Sequence, residues 1–359
     1  MGPPGDRHGG ARSCHSVRSF SWQRIEIPTL WILATDLMDS FSRDDRDKHL
    51  ITRGNVDGIV SAALFLCACP CSRITFVTSP SAAARVLAWD SSSSSIYLSD
   101  LALVPELEAR MCEASGRAEV VAFDHHQSHQ SPADGMMVIE EGVSAASVLY
   151  QHLHLGGRFK KLVAIADLVE FCRTPTLTEA ESCYGAGKVA EEARILDFSW
   201  RLDIDDDAFR GMAAMHLSKG VWPSEVGMIR RRYLQVVNEQ RWPKALARVE
   251  GSLRVRGPVG ILHGKDKNRS LYGFGTRALV EVARQKGCSY AVMVNERRQH
   301  ASVSLRGLEP GGVNLGRFAE EFTHHYGVEG GGHPASAGAR IPVEATDLFL
   351  RRFVSISSL

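Results

Sequence analysis

Neither sign of charge dominates this chain. Lys and Arg number 42 against 41 Asp and Glu, a net +1 over 359 residues, so a uniformly basic nucleic-acid coat or an acidic solvating chain is excluded. No apolar run approaches the roughly 20 residues a bilayer-spanning helix needs; the patch Ile27 to Leu33 is far too short. None of the eight cysteines has the two-residue gap of a zinc site, and the one cluster, Cys67, Cys69 and Cys71, has alternate spacing. These are expected to be reduced thiols in the core or at helix ends. Aromatic residues make up 8% and rarely interleave with basic ones, so a stacking platform for long single strands is not evident. Glycine is plentiful, yet neither Gly185-Ala186-Gly187 nor Gly311-Gly312 forms a dinucleotide fingerprint between a strand and a helix.

What is present suits a two-domain α/β protein. The length favours two domains over one, and 44% hydrophobic residues suffice for real cores. Residues 1–45 are rich in Gly, Pro, Ser and Arg and are expected to be a disordered extension. An Arg/Ser-rich start fits a transit peptide or an overlong start equally. Residues 46–175 alternate apolar runs with helical segments, which predicts a parallel sheet covered on both faces. Residues 176–250 read as a mostly helical linker, in which Asp203 to Asp207 lacks the glycine and later glutamate of a calcium loop and marks a helix start. Residues 251–359 form a smaller α/β lobe. From Glu225 to Arg298 there are 16 Lys and Arg against 6 Asp and Glu, so the basic half is C-terminal and suits an anionic ligand. The chain is expected to be cytoplasmic.

Carboxylates and imidazoles collect where apolar runs stop. Val120 to Phe123 delivers Asp124-His125-His126, Ile96 to Ser99 delivers Asp100, and Leu162 to Ala166, read as a strand, delivers Asp167. Leu50-Ile51-Thr52 leads into Arg53-Gly54-Asn55-Val56-Asp57-Gly58, with a helical run behind it. The carboxyl ends of strands are where open α/β sheets keep their sites. Acids and imidazoles without thiolates suit a harder ion, Mn²⁺ or Mg²⁺, and such a set fits metal-assisted phosphoester hydrolysis. Asp124 is expected to orient His125 or its neighbour, leaving His126 to face a substrate phosphate. The run Gly330-Gly331-Gly332 would let backbone N–H groups approach an anion closely.

Together these motifs resemble the DHH phosphoesterases, a family of RecJ-like exonucleases, oligoribonucleases and cyclic-dinucleotide hydrolases. Tyr97-Leu98-Ser99-Asp100, Asp124-His125-His126 and Ala166 to Glu170 carry the likeness, and Gly330-Gly331-Gly332-His333-Pro334 with Ala335 to Gly338 matches the family's associated C-terminal domain. The resemblance runs from about Lys48 to Ile341. It implies a two-lobed fold, with a phosphoesterase domain over 46–175 and the DHH-associated substrate-binding domain over 251–359. It also implies metal held by Asp57, Asp100, His125 and Asp167, and substrate held from the other lobe by His333, its glycines and Arg306.

The first motif departs from the family's His-x-Asp-x-Asp-Gly. Arg53 keeps its proton and has no lone pair to give, and Asn55 offers a neutral oxygen instead of a carboxylate. One strong metal site and at most a weak second are therefore expected. His49 lies too far along its strand to substitute, and His129 would follow His125 on one face only if a helical turn came next. Arg53 has a second reading, a fixed guanidinium that takes the charge of the scissile phosphate. The chain reads as a phosphodiesterase on short single-stranded oligonucleotides; the alternatives are a non-catalytic nucleotide-binding module and a hydrolase of pyrophosphate or cyclic dinucleotides. Oligomeric state is not legible.

Overall fold

In the computed structural model, residues 47–126, 136–265, 271, 273–309, 311–328 and 330–358 are described, without the side chains of Lys265 and His333. The expectations for residues 1–45 and His129 lie outside them. Lys48–Arg53 forms β1, an apolar run buried on both faces. Asn55 then caps helix α1 (Val56–Ala68) by accepting the Gly58 N–H at 2.9 Å, satisfying one of the donors a helix start leaves open. Strand β2 (Arg73–Val77), helix α2 (Pro80–Trp89), strand β3 (Ser95–Ser99), helix α3 (Pro105–Ser115), strand β4 (Glu119–Asp124) and the short β5 (Met137–Ile139) complete a sheet ordered β2-β1-β3-β4-β5, every pair parallel. Helices α2 and α3 bury Ala83, Leu87, Leu107 and Met111 against one face. On the other face α1 packs with α4 (Ala145–His152) and α5 (Lys160–Val169).

Here one sequence reading is corrected. Leu162 to Ala166 is not a strand delivering Asp167; it is the core of α5, and Asp167 lies inside that helix. Five apolar residues in a row cannot distinguish a buried helix from a buried strand, and all five are buried here because α5 packs among α1, α4 and the helices that follow.

Those following helices are α6 (Pro175–Tyr184), α7 (Ala186–Arg201), α8 (Asp207–Leu217), α9 (Gly227–Asn238) and α10 (Arg241–Glu250). The acidic run does begin a helix, with Asp206 accepting the Phe209 N–H as the cap of α8. In α7 the buried Asp197 accepts from Arg201 Nε at 2.8 Å and pairs with Arg277, while Arg201 Nη1 donates to the Gly273 carbonyl at 2.6 Å, which binds the linker to the second lobe.

The second lobe is a mixed sheet ordered β10-β11-β9-β8-β7-β6, made of β6 (Arg254–Arg256), β7 (Val259–Lys265), β8 (Tyr290–Glu296), β9 (His300–Gly307), β10 (Gly330–His333) and β11 (Ser336–Pro342). Helix α11 (Gly275–Gln285) packs with α10 on one face, and α12 (Leu315–His324) with α13 (Thr346–Ser357) on the other. The fold is thus a parallel-sheet lobe and a smaller α/β lobe. Among the described residues no helix is long and apolar enough to cross a membrane.

Candidate metal centre and cleft

Asp100, Asp124, His125 and His126 converge at the carboxyl ends of β3 and β4, their ligand atoms within 4.8 Å of one another and all four side chains buried. Asp100 leaves β3 with φ 56°, a left-handed conformation a side chain rarely adopts; strain of this kind persists where the surroundings enforce it, commonly at functional sites. Its Oδ1 lies 3.5 Å from His125 Nε2. Asp124 Oδ1 holds His126 Nδ1 at 2.6 Å, so Asp124 orients the neighbour, and His126 lines the cleft toward the second lobe.

The electrostatics describe a site crowded with carboxyls. Burial and the adjacent Asp100 push the Asp57 carboxyl well above the usual carboxylate range. Burial and Asp100 likewise raise Glu170, against the pull of His125 and Arg53. Burial acts on Asp100 too, but the His125 hydrogen bond and the Arg53 charge outweigh it and hold that carboxyl below its ordinary value. His125 is the counterpart. Burial opposes its charge, yet Asp100, Cys172 and Asp57 push its pKa up to about 12. Two carboxyls held toward their protonated forms and an imidazole held charged are what a site short of positive charge shows.

Whether these residues fit a divalent ion is decided by their donor atoms. Among the described residues, Oδ2 of Asp100 and Oδ2 of Asp124 are both buried without a hydrogen-bond partner, an arrangement that ordinarily costs free energy. Two such oxygens beside an imidazole are a sound donor set for a cation, so the residues fit.

The other expected ligands are placed differently. Asp57 is at the margin, with Oδ2 3.9 Å from His125 Nε2 and both oxygens accepting helix N–H groups, Ala145 at 2.9 Å and Ala146 at 2.8 Å. Asp167 is not among the clustered ligands. Its Oδ1 accepts from Ser144 N (3.0 Å), Ser144 Oγ (2.6 Å) and Ser147 Oγ (2.7 Å), and its Oδ2 from Thr174 Oγ1 (2.6 Å); these donors make it a fastener of α4 and α6 to α5. Asn55 spends its side-chain oxygen on the α1 cap. His49 is engaged elsewhere, between Asp90 and Thr75 at 2.7 Å each.

A cleft of about 830 Å³ lies between the lobes, lined by Arg53 and His126 on one side and by Arg306 and Gly330 to Gly332 on the other. Burial and the Arg53 charge lower Arg306 to about 10, so the two guanidinium groups feel each other across the space. The glycines, expected to let backbone N–H groups approach an anion, form an extended edge strand, β10, paired to β11. A Cβ on Gly330 would meet Thr323 of α12 at 2.6 Å, and one on Gly332 would meet the Ser336 carbonyl at 2.5 Å, whereas Gly331 has nothing within 4 Å. Two of the glycines therefore serve packing, and Gly331 leaves the cleft wall open. The His333 backbone ends this strand.

Three participants were not among the expected site residues. Glu170 stands in the electrostatic reach of Asp100, His125 and Arg53. Cys172 is among the groups that raise the His125 pKa. Arg210, in α8, is 5% exposed and donates to the Gly54 carbonyl at 2.9 Å and to the Ile204 carbonyl, bracing the loop that carries Arg53.

Residues 277–357 match the model of the DHHA1 domain. No curated protein matches the chain. Among solved structures, the pGpG-specific phosphodiesterase PggH from Vibrio cholerae is similar at 16% identity and TM-score 0.53, over 86% of this chain and 98% of that one. RecJ in complex with Mn²⁺ from Thermus thermophilus aligns at 14% identity and TM-score 0.59, over 87% of this chain. This chain covers 52% of that RecJ chain, about half its length. The DHH domain of a member of a ribosomal-protein family aligns at 15% identity and TM-score 0.63, over 88% of each chain. At such identities the likeness speaks for the fold.

Proposed function

We propose that this chain, whose residues 277–357 match the DHHA1 domain model and whose two-lobed fold is similar to that of RecJ and of a DHH-domain protein, is a metal-dependent phosphodiesterase acting on short single-stranded oligonucleotides. The observation that carries the proposal is the pair of buried, unpartnered carboxylate oxygens, Asp100 Oδ2 and Asp124 Oδ2, beside His125 at the base of an arginine-lined cleft. Asp100, Asp124 and His125 would hold one divalent ion, with Asp57 next to them; bound there, the ion supplies a nucleophile near neutral pH and neutralises developing phosphoryl charge. Mn²⁺ or Mg²⁺ is the expectation from the oxygen-rich set.

The chain's own residues supply the rest. Arg53 and Arg306 face the cleft and suit two-pronged contacts to phosphate oxygens. Arg53 occupies the electrostatic neighbourhood of Asp100 and Glu170, which supports its reading as a fixed positive charge in place of a second ion. His126, held by Asp124, turns its other ring nitrogen toward the substrate. Gly331 admits the phosphate backbone to the β10 edge, and His333, at the end of that strand, is proposed as a substrate contact. The cleft lies within the roughly 300–1,000 Å³ range of small-ligand sites, which favours a dinucleotide-sized ligand over pyrophosphate. A cytoplasmic location goes with this reading.

Arg53 provides the test. If it binds phosphate, Arg53→Ala abolishes turnover, and Arg53→His combined with Asn55→Asp gains little. Asp caps a helix as well as Asn does, so the double variant keeps α1. A silent natural protein whose double variant becomes active would instead establish a nucleotide-binding module.

A further inference from the structure

The guanidinium that faces the cleft from the first lobe sits at the very start of a loop. Arg53 is the last residue of β1, Gly54 has no side chain, and Asn55 gives its side-chain oxygen to the α1 cap. A second hold on this loop comes from the helical linker. Arg210, in α8, is 5% exposed and each of its three guanidinium nitrogens is engaged: Nε donates to the Gly54 carbonyl at 2.9 Å, Nη2 to the Ile204 carbonyl and Nη1 to the Asp207 carboxylate. Its guanidinium also lies 5.7 Å from the Trp200 ring of α7 and 6.0 Å from the Phe76 ring of β2, within reach of cation–π attraction. Gly54 packs directly on it, since a Cβ there would lie 2.7 Å from Arg210 Nε and 2.8 Å from Cζ. The helix behind Arg210 is fixed in turn, because its cap Asp206 pairs with Arg232 of α9, whose guanidinium lies 4.0 Å over the Phe209 ring.

We infer that Arg210 is a positioning residue for phosphate binding: by holding the Gly54 carbonyl it fixes where the Arg53 guanidinium meets the substrate, so the helical linker sets the phosphate affinity of the cleft. The inference rests on the reading of Arg53 as a phosphate contact and adds the element that holds Arg53 in place. Arg210 does not reach the substrate itself. It is buried, its nitrogens are taken, and the cleft is lined by Arg53 and not by Arg210. Nor does it act on the metal centre directly, because its acceptors are two loop carbonyls and Asp207, none of them a clustered ligand. What it controls is the backbone beside Arg53. A long side chain binds phosphate well only when its root is fixed, since ordering it on binding costs affinity and a misplacement of about 1 Å can cost on the order of a hundredfold in rate.

A double-mutant cycle separates positioning from fastening. Binding of a dinucleotide to the full chain is measured by calorimetry in EDTA, so that nothing is turned over, for the natural protein, Arg53→Ala, Arg210→Lys and the two combined. Lys keeps the charge but lacks the fork that spans the Gly54 and Ile204 carbonyls. Arg210→Lys should weaken binding about tenfold, and Arg53→Ala at least as much. The combined variant should bind no more weakly than Arg53→Ala alone, the non-additivity expected of a residue that acts through another. A fastener of α8 would lower the thermal midpoint without this coupling. Gly54→Ala presses on the same guanidinium from the loop side; it should show the same loss and the same silence beside Arg53→Ala, and it decides the matter if Arg210→Lys does not fold. Unchanged binding in Arg210→Lys, or a loss that adds in full to that of Arg53→Ala, overturns the inference and leaves Arg53 as a phosphate contact. Unchanged binding in Arg53→Ala, or a natural chain that binds no dinucleotide, overturns both.

Discussion

Replacing Asp167 by Ala separates a metal ligand from a structural fastener. The buried carboxylate accepts four hydrogen bonds, from Ser144 N, Ser144 Oγ, Ser147 Oγ and Thr174 Oγ1. Ser144 and Thr174 are themselves the caps of α4 and α6, accepting Ser147 N at 3.1 Å and Leu177 N at 3.0 Å. The hydroxyls can rotate toward other partners, but the buried Ser144 N–H cannot, and stranding one such donor costs about 1–3 kcal/mol. Adding the loosened caps at about 1 kcal/mol each, we expect Asp167→Ala to lower stability by about 3–5 kcal/mol, a loss in the range reserved for broken buried networks. Asp167→Asn, which keeps an acceptor at one oxygen, should lose less. Urea unfolding reads the stability, and calorimetry on the folded protein reads the metal. Wild-type stability with metal binding lost would refute the structural role and restore Asp167 as a ligand.

Asp100→Ala should abolish metal binding in calorimetry; removing an unpartnered oxygen and a charge beside Asp57 and Glu170 offsets, in stability, the loss of the partner that holds His125 charged. Gly54→Ala places a Cβ 2.7 Å from Arg210 Nε, in a side chain already held by the Gly54 and Ile204 carbonyls; the Arg53 loop should shift and substrate KM rise, with metal affinity unchanged. Gly332→Ala, at φ 141° and 2.5 Å from the Ser336 carbonyl, should weaken oligonucleotide binding while sparing metal. Acid should unfold the first lobe through His49 and Asp90. Burial lowers the His49 pKa from 6.5. Burial acts to raise Asp90, yet hydrogen bonds from His49 and Arg73 outweigh it and hold that carboxyl below 3.8. For both, the unfolded chain binds more protons, so stability is present above the unfolded values and lost as pH falls, first below about 6.5 and again below about 3.8. His49→Gln should remove the upper step in a pH series of thermal midpoints.

The parts of the site legible in sequence were those set by local pattern. A buried strand followed at once by Asp or His must present that side chain at the sheet's end, and Asp100, Asp124, His125 and His126 do converge there. Asp167 misled because an apolar pentapeptide carries no period, so a helix core passed for a strand. Glu170 was in view as part of a motif, yet its approach to Asp100 depends on α5 being helical. Cys172 depends on a left-handed turn at Phe171, which a phenylalanine does not advertise. Arg210 meets Gly54 across 156 residues, a contact that no spacing rule reaches. The glycine run was noticed for its missing side chains, but its pairing with Ser336 to Ala339 makes it a strand.

The most direct test of the central claim is hydrolysis of a labelled dinucleotide and of a longer oligomer by the full chain, purified without metal, with Mn²⁺, Co²⁺ or Zn²⁺ added in turn and Asp100→Ala alongside. The account predicts cleavage that needs added divalent ion, favours the dinucleotide and is lost in Asp100→Ala. Metal bound at the centre without cleavage of either substrate, or equal cleavage by Asp100→Ala, would contradict it.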